Sequence, residues 1–130
     1  GDGLYVRDWI HVQDHCDGLL RAADRGRPGE TYNLGGNSPR KNLEVARRIL
    51  RFLGRPPDQL EHVVDRPGHD RRYAIDNRRA RRDLGWAPRW RFEDGLRATI
   101  DWYLTHERWW ARILSGDYLV RRRRAEGRGR

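Results

Sequence analysis

The residues best suited to chemistry lie in one charged stretch, residues 65–76, which reads DRPGHDRRYAID. Within it, Pro67 and Gly68 separate Arg66 from His69. Because proline restricts its own φ angle and glycine tolerates a positive φ, a turn here can hold the arginine and the histidine in a defined relative pose. A guanidinium offers a rigid fork of N–H donors that matches phosphate oxygens in a bidentate way. The stretch therefore predicts a site for a phosphorylated ligand.

A second arginine, Arg7, is the natural partner for such a ligand, because a diphosphate carries enough charge for two guanidinium groups. It lies in residues 5–12, which are predicted to be extended. The alternative for residues 65–76 is a solvated surface loop with Arg–Asp pairs, since such pairs form at little cost on a protein surface. Spacing alone leaves both interpretations open.

Hydrophobic periodicity, N-capping residues and glycines predict the elements that position these groups. Helices are expected over residues 14–24, 43–53, 76–84 and 92–107, with apolar positions continuing to residue 114. Short strands are expected over residues 31–34 and 62–64, extended chain over 72–75, and a polar loop over 37–41. This alternation indicates an α/β class. Three short strands make a poor independent sheet, because parallel strands need neighbours and covering helices, so we expect an incomplete domain.

A longer series of motifs carries a family resemblance. In chain order they are VRDW at 6–9, VQDH at 12–15, GETYNLGG at 29–36, NLEV at 42–45, the stretch 65–76, LGWAP at 84–88, FEDGL at 92–96 and WY at 102–103. Together they resemble the dTDP-glucose 4,6-dehydratases, which are extended short-chain dehydrogenase/reductases. The resemblance runs from residue 1 to about residue 118, and residues 65–76 are its most specific part.

This resemblance implies a fold and a function. The fold is the C-terminal part of a Rossmann-type α/β protein, with a few short strands and covering helices. Enzymes of this family use tightly held NAD to oxidise the sugar at C4, eliminate water across C5 and C6, and return the hydride at C6. They thereby convert dTDP-glucose to dTDP-4-keto-6-deoxyglucose. The resemblance further implies a cytoplasmic enzyme that is a homodimer in its full-length form.

The same resemblance implies eight substrate-binding residues. Arg7 and Arg66 would bind the diphosphate. The nucleotide end would be contacted by Asn42 and by the loop Asp65, Arg66, Pro67, Gly68 and His69. Tyr73 is a further candidate from the same stretch.

Residues that would perform the reaction are missing from the chain. The family's Tyr-x-x-x-Lys pair is absent, because Lys41 is the only lysine and Asn37 stands four residues before it. Gly26 and Gly29 have the spacing of a dinucleotide-binding loop, but Tyr32 occupies its third glycine position. The family's acid/base carboxylates would lie in the same missing part. We therefore expect the chain alone to be inactive, with no catalytic or cofactor-binding residue, and NAD to be bound by a missing N-terminal half.

The family resemblance and the charge of the chain leave three alternatives open. Much of the net charge of +9 comes from residues 121–130, which hold six arginines and one glutamate and are predicted to be a disordered tail after a binding portion at 1–120. The chain could belong to a UDP-sugar dehydratase or epimerase, or be a non-catalytic module for nucleotide sugars or for nucleic acid. The nucleic-acid alternative is the weaker one, because no helix-turn-helix pattern or Arg-interleaved aromatic repeat is present.

The sequence also argues against a membrane span, a leader peptide, an internal disulfide and a metal site. No run of eighteen apolar residues predicts a membrane span, and no charged-then-apolar leader is present. Cys16, the only cysteine, excludes an internal disulfide, fits an intracellular protein and is predicted to be buried. His11 and His15 are four residues apart, but His11 precedes the predicted helix, so the pair should not share a face and no metal site is expected.

Overall fold

A computed structural model describes residues 1–116, and the predicted tail lies outside them. The described elements are the strands β1 (Val6–Asp8) and β2 (Pro39–Lys41), the helices α1 (Val12–Arg25), α2 (Asn42–Phe52), α3 (Arg78–Leu84), α4 (Phe92–Thr105) and α5 (Glu107–Leu114), and a 3-10 turn at Pro57–Gln59. They fall into two compact units, Gly1–Arg97 and Ala98–Arg130, with the boundary inside α4. No helix within residues 1–116 is both long and apolar enough to cross a membrane.

The sheet of the first unit is small and is built around β1. Strand β1 pairs antiparallel with β2, with Val6 opposite Lys41. On its other edge Val6 forms an isolated parallel bridge with Arg72, in which the Val6 N–H donates to the Arg71 carbonyl at 2.9 Å and the Tyr73 N–H donates to the Val6 carbonyl at 3.0 Å. The prediction of a loop over residues 37–41 is therefore wrong at its end, because residues 39–41 pair with a strand distant in sequence.

A compact core joins α1, α3 and the segment that follows α3. Ala80, Leu84 and Trp86 are fully buried, and Ala22 and Leu34 are among the partly buried residues that pack on them. Gly18 allows this approach, because a Cβ atom there would lie 2.7 Å from a methyl carbon of Leu34. The core thus depends on a small residue on the inner face of α1.

Asp14 is a structural carboxylate and not the predicted N-cap. Helix α1 begins at Val12, and the cap is His11, whose Nδ1 accepts the Gln13 N–H at 3.3 Å. The buried Asp14 carboxylate instead accepts the N–H groups of Arg89 and Trp90 at 3.0 and 2.9 Å. It therefore fastens the chain between α3 and α4 to α1.

Residues 31–34, predicted as a strand, alternate between partly buried and exposed side chains but pair with no other strand among the described residues. Tyr32 and Leu34 are partly buried against the core, whereas Thr31 and Asn33 are exposed. No backbone–backbone hydrogen bond joins residues 31–34 to the rest of the described chain. The predicted strand at 62–64 is likewise not formed. A strand exists only by pairing, so correct side-chain alternation is not sufficient.

One face of α1 is apolar and exposed. Val12, Leu19 and Leu20 are exposed, and Cys16 is exposed as well, so the prediction that this cysteine is buried is wrong. An amphipathic helix normally covers its apolar face. Together with the unpaired residues 31–34, this face fits the expectation of an incomplete domain.

The remaining helix ends follow the sequence more closely. Helix α3 ends at Leu84 and is capped by Gly85, which adopts the left-handed conformation with φ of 63°, as the glycine predicts. Gly54, just beyond α2, has φ of 61°. The predicted helix over 92–107 ends at Thr105, and α5 follows as a separate helix. In the second unit Trp102 stacks on His106 with centroids 4.6 Å apart and meets Trp109 edge-on.

Replacing Asp14 tests whether the α1 contact stabilises the first unit. Asp14→Ala leaves two N–H groups without an acceptor and should lower the free energy of unfolding by about 3 kcal/mol. Asp14→Asn keeps one acceptor oxygen and should cost about 1 kcal/mol. Urea denaturation followed by tryptophan fluorescence measures both. The exposed Asp24→Ala is the control and should change stability by less than about 0.5 kcal/mol; an equal effect of Asp14→Ala and Asp24→Ala would contradict the assignment.

Candidate functional site

Arg7, in the middle of β1, is held from several sides. Its Nη1 donates to the Val6 carbonyl at 2.7 Å, and its Nη2 donates to the Asp70 carbonyl at 3.0 Å. Nη2 also lies 2.8 Å from Nε2 of His69. The guanidinium carbon lies 4.5 Å from the ring centroid of Tyr73, within the range of a cation–π contact. The half-buried Arg7 side chain is therefore oriented before any ligand arrives.

The contacts of His69 define its tautomer. A guanidinium can only donate hydrogen bonds, so Nε2 of His69 must be the acceptor for Arg7. The ring proton then resides on Nδ1, which donates to Oδ1 of Asp65 at 2.8 Å. This geometry requires a neutral imidazole with its proton on Nδ1.

Asp65 is the main hydrogen-bond acceptor of the loop. Besides His69, it accepts the Tyr5 hydroxyl and, at 3.0 Å, the Arg66 N–H. The hydrogen bond from His69 is the main cause that lowers the pKa of the Asp65 carboxyl below its ordinary value. The carboxylate thus remains ionised at neutral pH and acts only as an acceptor.

The ring of Tyr73 also contacts the Arg7 guanidinium. The bridge to Val6 sets the position of its backbone, and its hydroxyl donates to the Asp70 carboxylate. That hydrogen bond raises the pKa of the Tyr73 phenol, an effect partly offset by the charges of Arg7 and Arg66. The phenol is therefore a protonated donor that ties Asp70 in place.

A cleft of about 220 Å³ opens beside this network. Three of the predicted site residues line it, namely Asn42, Asp65 and His69. The other lining residues are Gly1, Gly3, Tyr5, Leu43, Ala46, Leu60, Glu61, His62 and Val63. Asn42 is the first residue of α2, and its side-chain amide has no hydrogen bond within residues 1–116, although its backbone N–H donates to the Tyr5 carbonyl at 2.9 Å. The cleft thus combines apolar walls with the amide group and positive end of a helix.

Arg66, Pro67 and Gly68 lie at the exposed tip of the loop and do not line the cleft. Gly68 has φ of 68°, which supports the predicted turn. No ion pair or hydrogen bond joins the Arg66 guanidinium to another described residue. The loop therefore presents an unpaired cation, Arg66, near the firmly held cation of Arg7.

The structure brings four of the predicted site residues, Arg7, Asp65, His69 and Tyr73, into one network. Tyr5 and Asp70, which the sequence did not single out as site residues, belong to the same network. A signal for Tyr5 was available, because residues two apart in an extended strand share a face, and Tyr5 stands two before Arg7. His11 has a structural role, since it caps α1 and its ring contacts that of Trp90, with centroids 4.2 Å apart, whereas His15 is exposed. Among the described residues, no three His, Cys, Asp or Glu side chains form a metal-binding group.

The chain is similar to known proteins in both sequence and structure. A family model described as GDP-mannose 4,6 dehydratase matches residues 1–99. A dTDP-glucose 4,6-dehydratase of Xanthomonas campestris pv. campestris (strain B100) is 47% identical over 94% of this chain and 37% of its own length. One from Mycobacterium tuberculosis (strain CDC 1551 / Oshkosh) is 52% identical over 85% of this chain and 34% of its own length.

A solved structure gives the same result for the fold. The crystal structure of dTDP-glucose 4,6-dehydratase from Bacillus anthracis str. Ames in complex with NAD superposes with a TM-score of 0.79 at 46% identity, over 85% of this chain and 35% of that chain. The α/β, Rossmann-type expectation is thereby confirmed. The chain spans about a third of the length of the curated relatives that it matches. The resemblance to dTDP-glucose 4,6-dehydratases is confirmed, and the family match over residues 1–99 shows that the chain belongs to the GDP-mannose 4,6 dehydratase family.

Proposed function

We propose that this chain is the substrate-binding part of a dTDP-glucose 4,6-dehydratase, a lyase that forms dTDP-4-keto-6-deoxyglucose and water from dTDP-glucose. The observation that carries the proposal is the oriented guanidinium of Arg7 beside the 220 Å³ cleft, with the unpaired Arg66 nearby. The names of the relatives supply the identity of the sugar nucleotide.

The donors of Arg7 are suited to a phosphate. An arginine has five N–H groups, and Arg7 donates three of them to Val6, His69 and Asp70. Two remain for oxygen atoms of a ligand. Arg66, at the loop tip, can approach the same anion from solvent, so the two cations together match a diphosphate.

The cleft is suited to the nucleoside end of the substrate. Leu43, Ala46 and Leu60 provide apolar surface for a flat base, and the free amide of Asn42 can both donate and accept a hydrogen bond. Asp65 and His69 line the cleft and also contact the Arg7 network. The proposed ligand therefore runs from the cleft, with its nucleoside, towards Arg7 and Arg66, with its diphosphate.

NAD does not fit the described residues. A dinucleotide loop leads from a strand into the N-terminus of a helix. Gly26 and Gly29 instead follow the C-terminal end of α1, with Gly26 as its cap. We therefore assign no redox step to this chain and propose that NAD is bound by residues outside it, in keeping with the expected absence of catalytic residues.

The wider proposal follows the family resemblance. Residues 1–120 form the binding portion, residues 121–130 form a tail of no assigned role, and the full-length enzyme is a cytoplasmic homodimer. The unpaired residues 31–34 and the exposed apolar face of α1 support a chain that folds together with further polypeptide.

Nucleotide binding tests the site. Arg66→Ala should weaken dTDP binding about tenfold or more, because a charge-assisted contact to phosphate is lost. Isothermal titration calorimetry measures the affinity. The exposed Arg55→Ala is the matched control and should leave it unchanged. Unaltered dTDP affinity in Arg66→Ala would refute the assignment, and tighter competition by UDP than by dTDP would favour the UDP-sugar alternative.

A chimera tests the reaction. Replacing the matching part of the Xanthomonas campestris enzyme with this chain should give a dehydratase, because the two are 47% identical there. Mass spectrometry should detect loss of one water from dTDP-glucose, and the Arg7→Ala chimera should be at least about tenfold slower. A folded, NAD-binding chimera that binds dTDP-glucose without converting it would contradict the proposed activity.

The contribution of the Asp65 carboxyl to the stability of the fold should depend on pH in a defined direction. Since its folded-state pKa is lowered, its contribution to stability is complete above the unfolded pKa of about 4 and is lost as pH falls through the lower folded value. The stability difference between the wild type and Asp65→Asn should therefore not narrow between pH 8 and about 5, and should narrow below about 4. Urea denaturation across this range measures it; narrowing near neutral pH would show that another group controls the loop.

A further inference from the structure

We propose that Tyr5 is a positioning residue of this site, which orients Arg7 towards a bound diphosphate by holding His69. The inference rests on the proposed function, because the diphosphate is the ligand on which Arg7 would act. None of the family motifs in the sequence includes Tyr5.

Tyr5 restrains His69 through two different contacts. The two rings stack with centroids 4.0 Å apart and planes 17° from parallel. The Tyr5 hydroxyl also donates to Oδ2 of Asp65, whose Oδ1 accepts the Nδ1 proton of His69. The stack sets the plane of the imidazole, and the carboxylate sets its rotation within that plane.

Restraint of the imidazole is transmitted to Arg7. The lone pair of Nε2 lies in the ring plane, so it points at the Arg7 Nη2 proton only while the ring keeps its orientation. A rotated or tilted ring would offer no acceptor at this place. Arg7 would then keep its contacts with Val6, Asp70 and Tyr73 but lose the one from His69, and binding a phosphate would cost more entropy because the guanidinium is less restrained.

The backbone of Tyr5 has a separate role that a substitution leaves intact. Its carbonyl accepts the Asn42 N–H at 2.9 Å, and the adjacent Val6 carries the bridge to Arg72. Side-chain variants of Tyr5 therefore keep the strand that places Arg7. Tyr5→Phe removes only the hydroxyl contact, whereas Tyr5→Leu removes the stack as well.

The competing explanation is direct contact, because Tyr5 also lines the cleft. A direct contact with the nucleoside would weaken binding of thymidine and dTDP equally. A role through Arg7 would weaken dTDP and spare thymidine, which has no phosphate. Comparing dTDP with thymidine therefore separates the two explanations. Comparing the effect of a Tyr5 substitution with and without Arg7 separates them a second time.

The experiment measures the dTDP and thymidine affinities of the 130-residue chain by calorimetry and NMR titration. Tyr5→Phe should weaken dTDP binding about threefold and Tyr5→Leu about tenfold, with thymidine changed by less than about twofold. In an Arg7→Ala background, Tyr5→Leu should change dTDP affinity by less than about twofold, because coupled residues lose their effect together. Tyr32→Phe removes a hydroxyl outside the site and is the control. Equal losses for both ligands, or an undiminished effect without Arg7, would overturn the proposal.

A ligand-free measurement separates this proposal from the proposed function. Nitrogen-15 NMR of the histidine rings, assigned with His69→Gln, should show His69 protonated on Nδ1 in the wild type and a mixture of tautomers in Tyr5→Leu. If Tyr5→Leu shows this change of tautomer but the wild type does not bind dTDP, the proposed function is wrong. The restraint of His69 by Tyr5 would still hold. An unchanged His69 signal in both Tyr5 variants would defeat the positioning role itself.

Discussion

The backbone hydrogen bonds of Val6 are the constraint on which the site depends. On one edge Val6 lies opposite Lys41, which immediately precedes α2, and on the other it exchanges hydrogen bonds with Arg71 and Tyr73. Three segments distant in sequence therefore meet at β1. Arg7 follows Val6 directly, so its guanidinium emerges where the cleft at α2 and the charged loop come together.

Within that frame, a chain of donors and acceptors gives the site its order. Asp65 accepts from Tyr5 and from His69, and the neutral His69 in turn accepts from Arg7. Each of these donor and acceptor atoms therefore has one hydrogen-bonding role that its neighbours determine. The result is a cation whose orientation is established before ligand binding, which reduces the entropic cost of recognising an anion.

Local sequence patterns predicted the parts of the structure that local interactions determine. The apolar spacing of α2 and the glycine after α3 gave correct helices, because periodicity and a left-handed cap are encoded within a few residues. Asp14 was assigned wrongly as a cap, because its acceptors serve Arg89 and Trp90, about seventy-five residues away along the chain. Residues 31–34, predicted as a strand, alternate between partly buried and exposed side chains, but pairing depends on a neighbouring strand that the described chain does not provide. For the site, residue types identified Arg7 and the charged loop, whereas the Tyr5–His69 stack required the tertiary structure.

A crystal structure of the chain with dTDP tests most directly whether this network binds the nucleotide. We expect the thymine to lie in the cleft, beside Asn42 and Leu43, and phosphate oxygens to lie within hydrogen-bonding distance of the guanidinium groups of Arg7 and Arg66. His69 should keep its contacts with Arg7 and Asp65 in the complex. A dTDP molecule bound elsewhere, or one whose phosphates contact neither arginine, would show that this network is not the nucleotide site.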